Sequence, residues 1–313
     1  MPKKKDFVSH VLTDPDISKP ELNDLSRWNN DFADSMDENA KHLYDSWMSC
    51  PDNLSIKVST YFQAYSELLS KYRNKEVFLT EIGVLEGGSL MMWKKWLGQN
   101  SKIIGIDLNP KVKRFQSNGI DILIGDQANL DFWKYFYKKY PRVDIIIDDG
   151  GHQFFQQVIT FFATMMFAKH EVMLIFEDVS TSFFKDFRLK NGEESFFDFI
   201  KDLTDNLTLK QVFSKRYNKK WISNIDNKII KRYRAIRSIS FYSGLVAIVI
   251  DPKSGHTPLY LKNSNTSIQT KDFRHKGNID GVSFPWSDPQ RKKTVKFVDP
   301  SAEGEIKLLK INS

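Results

Sequence analysis

Residues 143–178 read VDIIIDDGGHQFFQQVITFFATMMFAKHEVMLIFED, and this stretch decides the fold. Val143 to Ile147 and Val172 to Phe176 are short apolar runs, rich in β-branched residues, with the length of strands buried on both faces. A helical run separates them, so they read as parallel strands of an α/β sheet. Each run stops at acids: Asp148 and Asp149 after the first, Glu177 and Asp178 after the second. In an open α/β sheet, ligands bind in the crevice outside the carboxyl ends of the strands, so the four carboxylates are expected at one site. His152 lies three residues past Asp149, on the same loop or the first helical turn. Carboxylates with one histidine suit a hard divalent cation beside a general base. Taken singly, each acid fits a helix cap equally well, and Gly150-Gly151 fits a tight turn. Their coincidence at two strand ends is what points to a site.

The same rhythm runs upstream. VFLTEIGVLEGGSLMMWKKWL, residues 77–97, gives a strand from Val77 to Ile82, a glycine-rich turn, and a helix expected to begin near Ser89 with that serine as its cap. KIIGIDLNP ends an apolar run at Asp107, and GIDILIGD ends a shorter one at Asp126. Strands alternating with helices from Val77 to Phe176 are the mark of a doubly wound, Rossmann-like, mainly parallel sheet. RSISFYSGLVAIVID, residues 237–251, reads as a hairpin turning at Ser243-Gly244, which would add an antiparallel pair.

Gly83, Gly87 and Gly88 lie between the first strand and its helix, where glycine lets the backbone approach a ligand and the helix N-terminus offers N–H groups. Their spacing is not the GxGxxG of a dinucleotide site, which argues against a dehydrogenase. Glu81 before the glycines, Asp107 after the second strand and Asp126 after the third form an ordered set. An acid at Asp107 suits the two hydroxyls of an adenosine ribose, and Asp126 would then face the adenine.

Composition bounds these readings. At 313 residues with 41% apolar content, the chain can bury one large α/β domain with extensions or two modest domains. Cys50 is the only cysteine, which excludes an internal disulfide and any multi-cysteine metal site, and suits a reducing compartment. The basic start MPKKK is not followed by an apolar segment of signal-peptide type, and no apolar run approaches the roughly 18 residues that a membrane span needs. A cytoplasmic protein is expected. The net charge of +7 is local: Lys210 to Arg237 holds ten basic residues against Asp226 alone, with Tyr217, Trp221 and Tyr233 interleaved. That pattern reads as a solvated helix face or a lid over an anionic acceptor in preference to a nucleic-acid surface.

Residues 1–55 read as a polar arm and a helical lead carrying a Trp28, Phe32, Met36, Leu43 and Trp47 stripe. Residues 56–73 form an amphipathic helix that opens the main domain, 56–251. A helix is expected over 193–208, and a basic insertion at about 185–235. Residues 252–313 form an extension without clear periodicity.

EIGVLEGGSLMMW, IGIDLNP, IGDQ, DIIIDDGGH, IFEDVSTSF and RSISFYSGLVAI together resemble the class I S-adenosylmethionine-dependent methyltransferases. More narrowly, they resemble the Mg-dependent sugar O-methyltransferases of the mycinamicin and macrocin type, over roughly Ile56 to Asp251. The resemblance implies Mg²⁺ held by Asp149, Glu177 and Asp178, with His152 as base and Asp149 counted among the catalytic residues. It implies S-adenosylmethionine bound by Glu81, Gly83, Gly87, Ser89, Asp107, Asp126 and Asp148. The family commonly has a serine where Gly151 stands and a histidine where Ser240 stands. The implied partner is a small-molecule or glycan acceptor, with an anionic or nucleotide-linked sugar favoured by the basic segment; a homo-oligomer is compatible with the resemblance. Phenolic or phosphate-type acceptors, and a non-catalytic scaffold, are the competing readings.

Overall fold

The computed structural model describes residues 35–189, 194–212, 235–253, 296–299 and 307–310. Residues 1–34, most of the basic segment and most of the C-terminal extension lie outside the described residues. The chain clusters into two compact units, Met1–Asp126 with Tyr242–Leu245, and Gln127–Phe241 with Val246–Ser313.

In the first unit, α1 (Glu38–Met48) starts at Asp37, whose Oδ1 accepts from the Ala40 N–H at 2.8 Å. α2 (Thr60–Leu69) follows, then β1 (Val77–Ile82), α3 (Gly88–Leu97), β2 (Ser101–Asp107) and β3 (Ile120–Ile124). The expected helix over 56–73 begins only at Thr60. Ile56 and Val58 before it are exposed. The strands run in the order β3-β2-β1, both pairs parallel, with Val77 opposite Ser101 and Ile103 opposite Ile120. Helix α2 buries Tyr61, Phe62, Tyr65 and Leu69, the i, i+1, i+4, i+8 face of its periodicity. Tyr65 meets Trp93 of α3 edge to face at 4.8 Å, so α2 and α3 share one aromatic core.

The second unit contains α4 (Leu130–Lys139), β4 (Ile145–Asp148), α5 (Phe154–Phe167), β5 (Val172–Phe176), α6 (Phe196–Val212), β6 (Ile236–Tyr242) and β7 (Leu245–Ile250). Strand order is β4-β5-β7-β6. β4 and β5 are parallel, with Ile145 opposite Met173. β7 is antiparallel to β5, with Val172 opposite Ile250. This is the antiparallel addition expected from residues 237–251. Every residue of β4, β5 and β7 is buried, which explains why they read as continuous apolar runs. α6 starts three residues later than expected from the sequence and packs through Phe196, Phe199, Ile200 and Leu203; Phe176 meets Phe196 at 4.5 Å. A further antiparallel pair, β8 (Lys296–Asp299) and β9 (Lys307–Lys310), was not legible in the tail.

The start of α6 is a reciprocal cap. Ser195 Oγ accepts from the Asp198 N–H at 3.2 Å, and Asp198 Oδ2 accepts from the Ser195 N–H at 3.1 Å. Burial opposes ionisation of Asp198, but hydrogen bonds from Lys201 and Ser195 outweigh it and hold its carboxyl below the ordinary value. A lowered folded pKa means stability that is present above the unfolded pKa and lost as pH falls through the folded one. Ser195→Ala should therefore cost about 1 kcal/mol in urea unfolding at neutral pH. Asp198→Asn should cost under about 1 kcal/mol, since the carboxylate is partly exposed, and that difference from the parent should shrink as pH falls past the ordinary aspartate value and vanish only below the lowered folded one.

Candidate active site

Parallel register brings the acids of the second unit together. Asp148 stands opposite Phe176, and the Glu177 N–H donates to the Asp148 carbonyl at 3.0 Å, one step beyond the strands. Asp149 therefore leaves β4 beside Glu177 and Asp178 leaving β5. One oxygen each of Asp149 and Asp178 and a ring nitrogen of His152 lie within 4.8 Å of one another, and oxygens of Asp149 and Glu177 approach within the same limit. His152 Nε2 is 3.8 Å from Asp149 Oδ1 and 3.7 Å from Asp178 Oδ2. Its Nδ1 is shielded from solvent, and no described residue bonds it.

His152 and Asp178 both have left-handed backbones, φ 53° and 52°. Asp and His are among the non-glycine residues that tolerate this region best, and such outliers gather at functional sites. Asp178 opens a 3₁₀ turn over Val179–Phe183, with its carbonyl accepting from the Thr181 N–H at 2.9 Å and Oγ1 at 2.7 Å. The donor set at the cluster fits a hard divalent cation: three carboxylates supply only oxygen.

Asp148 is turned elsewhere. Successive strand residues point to opposite faces, so when Asp149 faces the cluster, Asp148 faces the core. It has no exposed surface, and Gln127 Nε2 donates to it, 2.9 Å from each oxygen. Burial pushes its carboxyl up, against the hydrogen bond from Gln127. The expectation of four carboxylates at one site is thus not met at Asp148, which is enclosed against Gln127. Gln127 was not singled out from the sequence, although it stands in the quoted IGDQ; nothing local marks it, because its partner lies in another strand.

The first unit holds the other predicted residues. Glu81, at 0% exposure, pairs with Lys57 Nζ at 3.3 Å. Gly83 turns the chain out of β1, and its N–H donates to the Ile106 carbonyl at 2.8 Å. Asp107 clasps the loop: its Oδ2 accepts from the Val84 N–H at 2.9 Å and its Oδ1 from the Asn109 N–H at 2.8 Å. Asp126 follows β3, where the Gly125 N–H donates to the Asp107 carbonyl at 2.9 Å.

Ser89 does not cap α3. The N-cap is Gly87 in the left-handed region, φ 79°, and Ser89 lies inside the first turn. Gly88 is glycine for the sake of the chain itself: a Cβ there would overlap the Asn53 carbonyl oxygen. The 50s loop is held there by Asn53 Nδ2 donating to the Glu86 carbonyl at 2.9 Å and Trp47 Nε1 donating to Ser55 Oγ at 3.0 Å.

No family model matches the chain. Among curated proteins, it is 25% identical over 209 residues to the 8-demethyl-8-alpha-L-rhamnosyl tetracenomycin-C 2'-O-methyltransferase of Streptomyces olivaceus, covering 64% of this chain and 52% of that protein. It is 26% identical to the demethylmacrocin O-methyltransferase of Streptomyces fradiae, covering 56% and 41%, and 30% identical to the mycinamicin VI 2''-O-methyltransferase of Micromonospora griseorubida, covering 39% and 32%. The chain spans about half or less of the length of these relatives. Among solved structures, it superposes on the MycE methyltransferase of the mycinamycin biosynthetic pathway, in complex with Mg, SAH and mycinamycin VI, with a TM-score of 0.55 at 20% identity, covering 74% of this chain and 58% of that one. The resemblance to sugar O-methyltransferases read from the motifs is the one these comparisons return, and the fold is that of a class I methyltransferase.

The glycine loop yields a direct contrast. Gly88→Ala should lower stability by about 1–3 kcal/mol, because backbone of the 50s loop must move to admit the methyl group. Ser89→Ala, which removes a hydroxyl that makes no cap, should stay within about 0.5 kcal/mol of the parent. Thermal unfolding of both variants checks the difference.

Proposed function

We propose that the protein is a metal-dependent O-methyltransferase that moves the methyl group of S-adenosylmethionine to a hydroxyl of a sugar or glycan-type acceptor. The observation that carries this reading is the Asp149, Glu177 and Asp178 carboxylate cluster with His152 at its edge. Support comes from the curated relatives, named for methylating sugar hydroxyls, and from the Mg and SAH in the MycE structure.

A divalent cation held by Asp149, Glu177 and Asp178 would supply Lewis-acid polarisation of the acceptor hydroxyl. His152 accepts the hydroxyl proton as the oxygen attacks the sulfonium methyl in line. The new C–O bond forms as the C–S bond breaks, and S-adenosylhomocysteine leaves. Gly83, Gly87, Ser89, Asp107 and Asp126 are assigned to the cosubstrate. The carboxylate of Asp107 has about four acceptor sites, of which two backbone N–H groups take one on each oxygen, leaving capacity for a ribose diol. Glu81 and Asp148 have 0% exposure, and we assign them to supporting the loops.

Calorimetric titration with S-adenosylmethionine and S-adenosylhomocysteine, with Mg²⁺ or with excess EDTA, tests the cosubstrate half. Micromolar binding that survives EDTA is expected; no binding in either condition would sink the reading.

Asp149→Ala and Glu177→Ala should each abolish metal-stimulated methyl transfer while leaving S-adenosylmethionine affinity within about threefold. His152→Ala should lower kcat by about 10²- to 10⁴-fold at similar cosubstrate affinity. Wild-type turnover in the histidine variant would remove it as base.

A further inference from the structure

We propose that Gln127 is a positioning residue for the loop Asp149–His152, holding it from beneath through Asp148 and the Gly151 amide. This rests on the reading of Asp149, Glu177 and Asp178 as metal ligands.

The orientation of the Gln127 amide is fixed by its neighbours. Its Nε2 faces both oxygens of Asp148 at 2.9 Å and Thr160 Oγ1 at 3.3 Å. The Thr160 hydroxyl donates to the Gln156 carbonyl at 2.9 Å, so its oxygen is left to accept from Gln127. On the other side, Gln127 Oε1 accepts from the Gly151 N–H at 3.5 Å. A flipped amide would set an oxygen against a carboxylate and a donor against a donor, so only one orientation satisfies every group. The backbone is fixed as well: the Gln127 carbonyl accepts from Trp133 Nε1 at 2.8 Å, and Trp133 is fully buried in α4.

One side chain therefore grips the loop at both ends. Asp148 immediately precedes the ligand Asp149, and Gly151 immediately precedes His152. Asp148 also accepts from the Gly150 N–H at 3.4 Å, which ties the middle of the loop to the same carboxylate. The loop must hold His152 at a left-handed φ of 53°, a conformation that an L-residue keeps only when its surroundings impose it. A side chain at 151 would run into the amide of Gln156, whose Oε1 accepts from the Gln153 N–H at 3.1 Å in the cap of α5. The loop is thus set between Gln127 below and the start of α5 beyond it. Partners that orient a ligand without touching the metal typically cost 10- to 100-fold in metal affinity when removed.

Mn²⁺ binding by electron paramagnetic resonance, on the full chain, provides a readout independent of turnover. Gln127→Met keeps the length but neither donates nor accepts, and Gln127→Glu keeps the acceptor for Gly151 while setting a carboxylate against Asp148. Both should weaken Mn²⁺ binding by roughly tenfold or more. Hydrogen exchange over residues 149–153 should quicken in both. The reciprocal exchange Gln127→Glu with Asp148→Asn restores a donor–acceptor pair with the polarity reversed, and should return Mn²⁺ affinity to within about threefold of the parent.

Wild-type Mn²⁺ affinity in both single variants, even with lowered thermal stability, would reduce Gln127 to a structural residue and overturn the proposal. A double variant no better than Gln127→Glu would overturn the polarity argument and with it the proposed route through Asp148. Absence of Mn²⁺ binding by the parent protein is a different result: it removes the metal reading itself, and the role assigned to Gln127 falls with it.

Discussion

The chemistry available to the second unit depends on one register. β4 and β5 pair so that Asp148 stands opposite Phe176, and the hydrogen bond from the Glu177 N–H to the Asp148 carbonyl carries the alignment one residue past the strands. Strand side chains alternate with a period of two, so a slip of one residue would turn Asp149 into the core and Asp148 out of it. Burial on both faces prevents the slip: β4, β5 and β7 expose no residue, and every alternative register would misplace large apolar side chains. The site is thus a consequence of core packing, reached through the last hydrogen bond of a strand pair.

At the cluster, local energies oppose the arrangement that the register imposes. Carboxylate oxygens of Glu177 and of Asp178 each lie within 4.8 Å of one on Asp149, and like charges repel. His152 and Asp178 add left-handed backbone, at roughly 1–3 kcal/mol each. The opposing contacts are specific: the Thr181 N–H and hydroxyl on the Asp178 carbonyl, and Gln127 beneath the Asp149–His152 loop. On the proposed reading, a bound cation would add to these contacts.

The strands were legible where apolar runs are bounded by acids or glycine. β1 and β5 begin and end where the sequence places them, and the hairpin turns at Ser243-Gly244. Legibility failed where a residue's role is set by distant chain. Ser89 has the chemistry of a cap, but the helix starts one residue earlier, because Gly87 makes the left-handed turn and Gly88 lies under the Asn53 carbonyl. Lys57 read as part of a helix, yet it lies ahead of α2, outside any helix, and reaches Glu81. Gln127 looked like a neighbour of Asp126, and its partners Asp148 and Thr160 come from β4 and α5. Periodicity reports which face is buried; it does not report which polar group another segment brings to that face.

The acids at the strand ends make the same point in chemical form. The sequence presents Glu81, Asp107, Asp148 and Asp149 as equivalents, each a carboxylate at the carboxyl end of an apolar run. The structure separates them by exposure and by the partners already in place. Glu81 and Asp148 are enclosed, one against an ammonium and the other against an amide. Asp107 meets two backbone N–H groups and keeps part of its surface, and Asp149 stands partly exposed beside two further carboxylates. A carboxylate can serve a ligand only with the surface that folding has left it, which is the ground for the proposed division between Asp107 and Asp149 on one side and the enclosed pair on the other.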